Sequence, residues 1–421
     1  MKVFKFGGAS VNSADAVRNM AEIVKQHTTE PLVVVVSAMG KTTNNLELLV
    51  PHHQYHTPDN IPETLDKIKN YHYNIIDQLF GSNNQEVYTQ INLLFAQLED
   101  QVMHPSFDYN YNYDQIVSIG ELLSTSIISL YLNHIGVHNQ WVDIRTIIKT
   151  DATYREGKVD WELTQSCVSN TLKEIVATNG LVITQGFIAS SGHGTTTTLG
   201  REGSDYSASI LAYCLDATDM VIWKDVPGFL NADPKFFANT TKINTIPYNE
   251  AIELAYYGAS IIHPKTVKPL QNKEIPLHVK SFITPKSEGS VIKNASHIEP
   301  ETPLYIFKNN QILLSIMPKD FSFIAEDNLQ KIFGEMADIG IKVNMTQNSA
   351  LSFSVCIDEH HLVFDKLIPT LQKDFVVRYN KGLQLITIRY HNPQIINEIV
   401  NHRKIYLEQH SRITAQLLCE M

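Results

Sequence analysis

Short apolar runs alternate with helical stretches through roughly the first two thirds of the chain. Runs of strand length lie at Val3–Phe6, Leu32–Ser37, Gln140–Asp143, Leu181–Thr184, Met220–Trp223 and Leu277–Lys280. Apolar positions recur at helical spacing over Ala14–Gln26, Asp114–Asn133, Ser207–Leu215 and Tyr248–Tyr257. This alternation predicts an α/β layer fold on a largely parallel sheet. Such sheets place ligands beyond the carboxyl ends of their strands. Here Gly7-Gly8, Ser37-Ala38-Met39-Gly40, Gln185-Gly186 and Lys224–Gly228 follow strands directly.

Two regions depart from the pattern. His52–Asp108 is polar, rich in His, Asn, Gln and Tyr, with broken helical periodicity. It reads as a helical insertion, over about 45–110, that covers the site. Its His52, His53 and His56 read as a solvated connection rather than a metal site, because Pro51 and Pro58 leave little helix to align the rings. After Glu288 the texture changes again. Ile312–Ile316, Lys342–Thr346, Leu351–Ile357, Leu383–Tyr390 and Ile405–Gln409 read as strands, and Leu329–Asp338 and Leu362–Leu371 as helices. A strand–helix–strand–strand–helix–strand order predicts a small ferredoxin-like α+β module over 304–421. From Gly382 a second copy begins and stops early.

Composition narrows the class. The chain has 421 residues, 43% hydrophobic and 19% charged, enough for two or three domains. A net charge of −10 argues against a general nucleic-acid partner, though not against a nucleotide. Cys167, Cys214, Cys356 and Cys419 are scattered, as expected of free thiols in a reducing compartment. No signal peptide is evident and no apolar run is read as approaching membrane-spanning length, so a cytoplasmic protein without membrane contact is expected.

Candidate chemistry lies in the segments after the strands. In Val3-Phe4-Lys5-Phe6-Gly7-Gly8-Ala9-Ser10, two glycines let the backbone turn and let an anion approach. Lys5 adds a point charge, and a helix starting near Ser13 would add its positive end. The lysine precedes the glycines, so this is not a Walker A loop, and a plain turn remains open. The loop Thr195–Tyr206 delivers Arg201, suited to a carboxylate or phosphate, and Asp205, suited to a lysine or a metal–nucleotide complex. Ser204 or Asp205 equally suits a helix cap, with Arg201 in a surface ion pair. Ser37–Asn44 offers hydroxyls, including Ser37 and Thr43, to a small polar substrate, or forms a strand-end turn. Glu121 starts a helix, which suffices structurally, and the same position suits an amino group. Trp223–Lys235 reads as a nucleotide contact zone or as turns.

Taken in order, KFGGASV (Lys5–Val11), SAMGKTTN (Ser37–Asn44), SIGE (Ser118–Glu121), TQGFIA (Thr184–Ala189), TTTLGREGSDYSA (Thr196–Ala208), WKDVPG (Trp223–Gly228), NADP (Asn231–Pro234) and GASIIHP (Gly258–Pro264) resemble the aspartate kinases of the amino-acid kinase family. The resemblance implies a three-layer α/β sandwich over 1–288 and ACT regulatory modules over 304–421. It implies transfer of the ATP γ-phosphate to the side-chain carboxylate of L-aspartate, with Mg2+ bridging the phosphates, at the entry to lysine, threonine and methionine synthesis. On this resemblance Lys5 meets the transferring phosphoryl group, Gly7, Gly8 and Ser10 line its cradle, and Asp205 orients Lys5. Thr43, Glu121, Arg201 and Ser204 hold aspartate, and Lys224, Asp225 and Lys235 face the nucleotide. Glu202, Lys224, Leu230 and Ser260 stand where many members have glycine, threonine, tyrosine and lysine. In the C-terminal region Asn344 and Ala350 replace an aspartate and a glutamate of lysine-sensitive members. Lysine or threonine as effector, and a homodimer or higher homo-oligomer, are implied. Another small-molecule kinase of this fold is disfavoured by GR-x-GSDYSA and the ACT-like tail. A catalytically silent amino-acid sensor is disfavoured by the presence of Lys5, Arg201 and Asp205.

Overall fold

The computed structural model describes residues 1–51, 60–82, 84–237, 239–259, 262–320 and 322–421. The His52, His53 and His56 cluster and Ser260 lie outside the described residues. The chain divides into two compact units, one of residues 1–229, 242–252 and 260–300, the other of 230–241, 253–259 and 301–421.

The first unit is built on an eight-stranded sheet in the order Thr245–Pro247, Ser290–Lys293, Leu277–Ser281, Asp219–Lys224, Lys2–Phe6, Leu32–Val36, Leu181–Gln185 and Gln140–Val142. All pairings are parallel except Leu277–Ser281 with Ser290–Lys293. Burial on both faces explains the near-continuous apolar runs, such as Leu32–Val36, buried at every position. Register matters most for function. Phe6 pairs with both Val36 and Trp223, and Val36 with Gln185, so four strands end on one line. The segments after them therefore emerge together, at the carboxyl edge where α/β sheets bind ligands. A small sheet of Lys149–Thr150, Ile188–Ser191 and Thr196–Thr198 follows in the chain and leads toward Arg201.

Helix Ala14–Lys25 starts where Ser13 accepts a hydrogen bond from the Ala16 N–H at 3.2 Å, as expected of an N-cap. The helix expected over Asp114–Asn133 begins earlier, at Tyr109, and runs as Tyr109–Val117 and Ile119–His134. Its start was hidden because Tyr109–Tyr113 is polar-aromatic and lacks apolar spacing; Asp108 caps it, accepting from the Asn110 and Tyr111 N–H groups. This 26-residue stretch contains an 18-residue window of mean hydropathy 1.4, which corrects the reading that no apolar run approaches membrane-spanning length. Its apolar window is 83% buried inside the protein, so packing against the sheet accounts for it. The insertion is helical, with Ile61–Phe80 and Gln85–Met103.

The second unit contains a six-stranded antiparallel sheet, in the order Val343–Asn348, Phe353–Asp358, Leu304–Pro318, Phe375–Arg389, Thr414–Glu420 and Ile405–His410. Two strands of 15 residues run through both halves. Ile312, Leu314 and Ile316 pack with Ile332 and Met336 of helix Glu326–Asp338 in one core; Ile386, Ile388 and Leu417 pack with Ile395 and Ile399 of helix Pro393–Val400 in another. The Leu362–Leu371 expectation divides into a π-helical turn, Val363–Leu367, and a short helix, Ile368–Leu371. Helix Pro393–Val400, capped by Asn392, and strand Thr414–Glu420 went unread because polar residues interrupt their short apolar patterns.

Candidate active site

At the carboxyl edge of the large sheet, a cavity of about 820 Å³ is lined by Lys5, Gly8, Ser37, Thr43, Glu121, Arg201, Ser204, Asp205 and Lys224, among others. Nine residues singled out from sequence thus meet in one place. Helices Ile61–Phe80 and Gln85–Met103 contribute none of the lining among the described residues, while Asn110, at the end of the insertion, does. The two helices pack instead against neighbouring helices of the first unit.

The loops meet because two positions carry no side chain. A Cβ on Gly8 would lie 2.7 Å from the Ala38 carbonyl oxygen, and the Gly40 N–H donates to the Gly8 carbonyl at 3.0 Å. A Cβ on Gly186 would lie 2.5 Å from the Ser204 Cβ. The helix Gly203–Cys214 can therefore start directly over the strand ends. Glu202 occupies the N-cap in a left-handed conformation, φ 54°, with no side-chain cap. This corrects the capping alternative for Ser204 and Asp205, which lie inside the first turn.

Asp205 turns inward instead. Its carboxylate forms ion pairs with Lys5 at 2.7 Å and Lys224 at 3.7 Å. Burial alone would raise its pKa, but the two ammonium charges outweigh it and hold the carboxyl below its ordinary value. Glu121 is in the opposite state. Burial pushes it up to about 8, against a long hydrogen bond from the Ala38 N–H at 3.3 Å, its own amide and the charge of Lys5. Its other oxygen, Oε2, has no hydrogen-bond partner among the described residues. Such an oxygen, inside a cavity, suits a ligand donor. Glu202 is also raised, by burial above all, with Lys224 and Arg201 opposing.

Other expected residues are placed differently. Gly7 adjoins Lys5, whose Nζ would lie 3.4 Å from a Cβ there. Ser10 is buried and spends its hydroxyl on the Trp223 carbonyl at 3.3 Å, anchoring the turn Gly8–Val11 to a neighbouring strand. Asp225 is exposed and outside the cavity lining. Lys235, exposed, and Leu230 belong to the second unit.

Sequence reading missed one wall of the cavity. Asn110, Tyr113, Thr153, Tyr154, Arg155 and Glu156 all line it. The Arg155 guanidinium lies 4.3 Å from the Tyr113 ring centre, a cation–π contact. The available signal was an arginine inside a Gly- and Asp-containing turn, which reads as surface.

Comparison with known proteins fits this geometry. The model of the amino acid kinase family matches residues 1–281. The chain belongs to this family. Within it, the chain is 33% identical over 400 residues to the lysine-sensitive aspartokinase 3 of Escherichia coli, covering 92% of this chain and 86% of that one. It is 32% identical to aspartokinase 1, chloroplastic, of Arabidopsis thaliana, covering 92% and 70%. Two solved structures of E. coli aspartokinase III align over nearly the whole chain at 28% identity. The complex with aspartate and ADP (R-state) gives a TM-score of 0.84 and covers 100% of this chain and 96% of that one. The complex with lysine and aspartate (T-state) gives 0.82, covering 99% and 95%. The aspartokinase resemblance and the α/β-plus-α+β fold class are thereby upheld.

Proposed function

We propose that this protein is an ATP-dependent aspartate kinase, forming 4-phospho-L-aspartate and ADP in the first step toward lysine, threonine and methionine. The observation that carries this reading is the buried Lys5–Asp205 pair in one cavity with Glu121 and Arg201. A side-chain carboxylate oxygen of aspartate attacks the γ-phosphorus, and the β–γ bridging oxygen leaves with ADP. Little covalent work falls to the protein, so positioning and charge neutralisation dominate. Lys5 meets the charge on the transferred group, and Asp205 holds Lys5 in place. Gly7 and Gly8 let the phosphates approach, and Ser10 secures that turn. Arg201 takes a carboxylate of aspartate, Glu121 its ammonium group, and Ser37, Thr43 and Ser204 offer hydroxyls. Lys224, which lines the cavity, serves the nucleotide.

Mg2+ fits the donor set. Among the described residues no group of three or more His, Cys, Asp or Glu side chains is placed to hold a metal. An ion held chiefly by phosphates and water needs one or two carboxylates, and Asp205 is in position to supply one. When bound it neutralises phosphate charge.

Residues 1–288 form the catalytic domain in this reading and 304–421 an ACT-type regulatory region. That region takes lysine or threonine as effector and joins copies into a homodimer or larger oligomer in the cytoplasm. Aspartate-dependent ATP turnover, measured against glutamate and N-acetylglutamate and repeated with lysine, threonine and methionine, tests the proposal. Preference for aspartate is expected; glutamate as the clearly better acceptor overturns it.

A further inference from the structure

Asp114 is wholly buried and belongs to no residue set assigned above. It sits on helix Tyr109–Val117, about two turns before Glu121 and therefore on much the same face of one helical rod. Its carboxylate accepts from the Arg155 N–H at 2.9 Å, the Thr198 N–H at 2.9 Å and the Thr198 hydroxyl at 2.8 Å. The next residue, Gln115, brackets Thr196 by donating to its carbonyl at 2.8 Å and accepting from its N–H at 3.3 Å. The two loops so fastened also hold each other, through the Gly157 N–H and the Thr198 carbonyl at 2.8 Å. One loop carries Tyr154 and Arg155 into the cavity; the other leads from Thr198 to Arg201.

We propose that Asp114 is a positioning residue for the acceptor half of the site, fixing the Arg155 and Arg201 loops at a set distance from Glu121. The inference rests on the aspartate-kinase reading of the cavity. Aspartate has an ammonium group and two carboxylates in fixed relation. A site that reads them needs its anionic and cationic groups in register, and one rod bearing both Glu121 and Asp114 supplies it. Arg155 then becomes a second cation presented to the acceptor, steadied on Tyr113.

Folding alone gives a poor reason for the arrangement. Burial pushes the Asp114 carboxyl up to about 6, against its three hydrogen bonds. A carboxyl held above its unfolded value takes its proton more readily in the folded chain, so stability falls as pH rises from the unfolded pKa through the folded one. The ionised form that makes all three bonds at neutral pH is therefore kept at a cost to stability.

The test is Asp114→Leu, with Thr198→Val beside it, read as separate KM values for aspartate and ATP together with thermal melting. Both backbone N–H groups share Oδ2, so an amide could keep them while its NH2 donates to the Thr198 hydroxyl; leucine removes both acceptors and releases both loops. We expect the aspartate KM of Asp114→Leu to rise at least about tenfold and that of Thr198→Val about threefold, with the ATP KM within about twofold. An unchanged aspartate KM in the folded variant, or both KM values rising together, overturns the proposal. Should Asp114→Leu fail to fold, Thr198→Val decides by the same criterion. If the wild type prefers another acceptor, the function reading fails on its own, and the KM split measured for that acceptor still judges Asp114.

Discussion

Asp205 and Glu121 line the same cavity and each is 3% exposed, yet their pKa values shift in opposite directions. Around Asp205 the protein supplies its own counter-charge, Lys5 and Lys224, and the carboxyl is held low. Around Glu121 it supplies the Ala38 amide, the residue's own amide and the charge of Lys5 without an ion pair, too little to offset burial, and the carboxyl rises to about 8. A permanently charged pair suits a site that must neutralise phosphate in every turnover. A carboxyl without an ion pair of its own suits a site whose cation arrives with the ligand. The comparison thus separates groups finished by folding from groups finished by binding.

Removing Lys5 strikes the comparison hardest. Lys5→Met should lower kcat by on the order of 10³ or more, because a charge on the transferring group is lost. It also leaves Asp205 with Lys224 alone. Hydroxamate formation with saturating aspartate and ATP measures it; turnover within about tenfold of wild type would refute the role given to Lys5.

The second test uses the proton on Glu121. In the empty protein at pH 7 the group is mostly neutral, its pKa being about 8. An arriving ammonium favours the carboxylate and draws the pKa down, so aspartate binding should release up to about one proton between about pH 6 and 8. Calorimetry in buffers of different ionisation enthalpy reads this directly. Glu121→Gln should abolish the release and raise the aspartate KM about tenfold.

A steric change sharpens the contrast. Gly186→Ala sets a methyl group where 2.5 Å separates it from the Ser204 Cβ. The helix carrying Asp205 must shift, at about 1–3 kcal/mol, or a fall of several degrees in Tm. The phosphate side should suffer more than the Glu121 side, seen as a larger change in ATP KM than in aspartate-linked proton release. The smallest effect is expected from Lys224→Ala. With Lys5 retained, the ATP KM should rise only a few-fold, since the longer ion pair contributes less than the short one.

What could be read in the letters follows from how local the signals are. Lys5 with Gly7-Gly8, and Arg201 with Ser204 and Asp205, each sit in one short loop after a strand or before a helix, and the parallel register brings them together. Asp114 could not be read this way. Its partners Arg155 and Thr198 lie 41 and 84 residues away, and a carboxylate near a helix start has an ordinary explanation. The short strands Lys149–Thr150 and Thr196–Thr198 escaped notice because they lack alternation. Thr196 and Thr198 also donate their N–H groups to the Gln115 and Asp114 side chains, which no propensity scale anticipates. Ser10 had the right type in the right motif, but its hydroxyl is committed to Trp223, a distinction only three-dimensional packing draws.

The central place of Lys2–Phe6 has a consequence for how the chain is made. This strand pairs with Leu32–Val36, close by in the chain, but its other partner is the distant Asp219–Lys224. Lys5 is translated 200 residues before Asp205. At roughly 5–20 residues per second, the nascent chain spends about 10–40 s with that lysine synthesised and its counter-ion not yet made. The Lys5–Asp205 pair thus cannot close until well after its lysine is made, and nascent chains expose an apolar strand edge until Asp219–Lys224 follows.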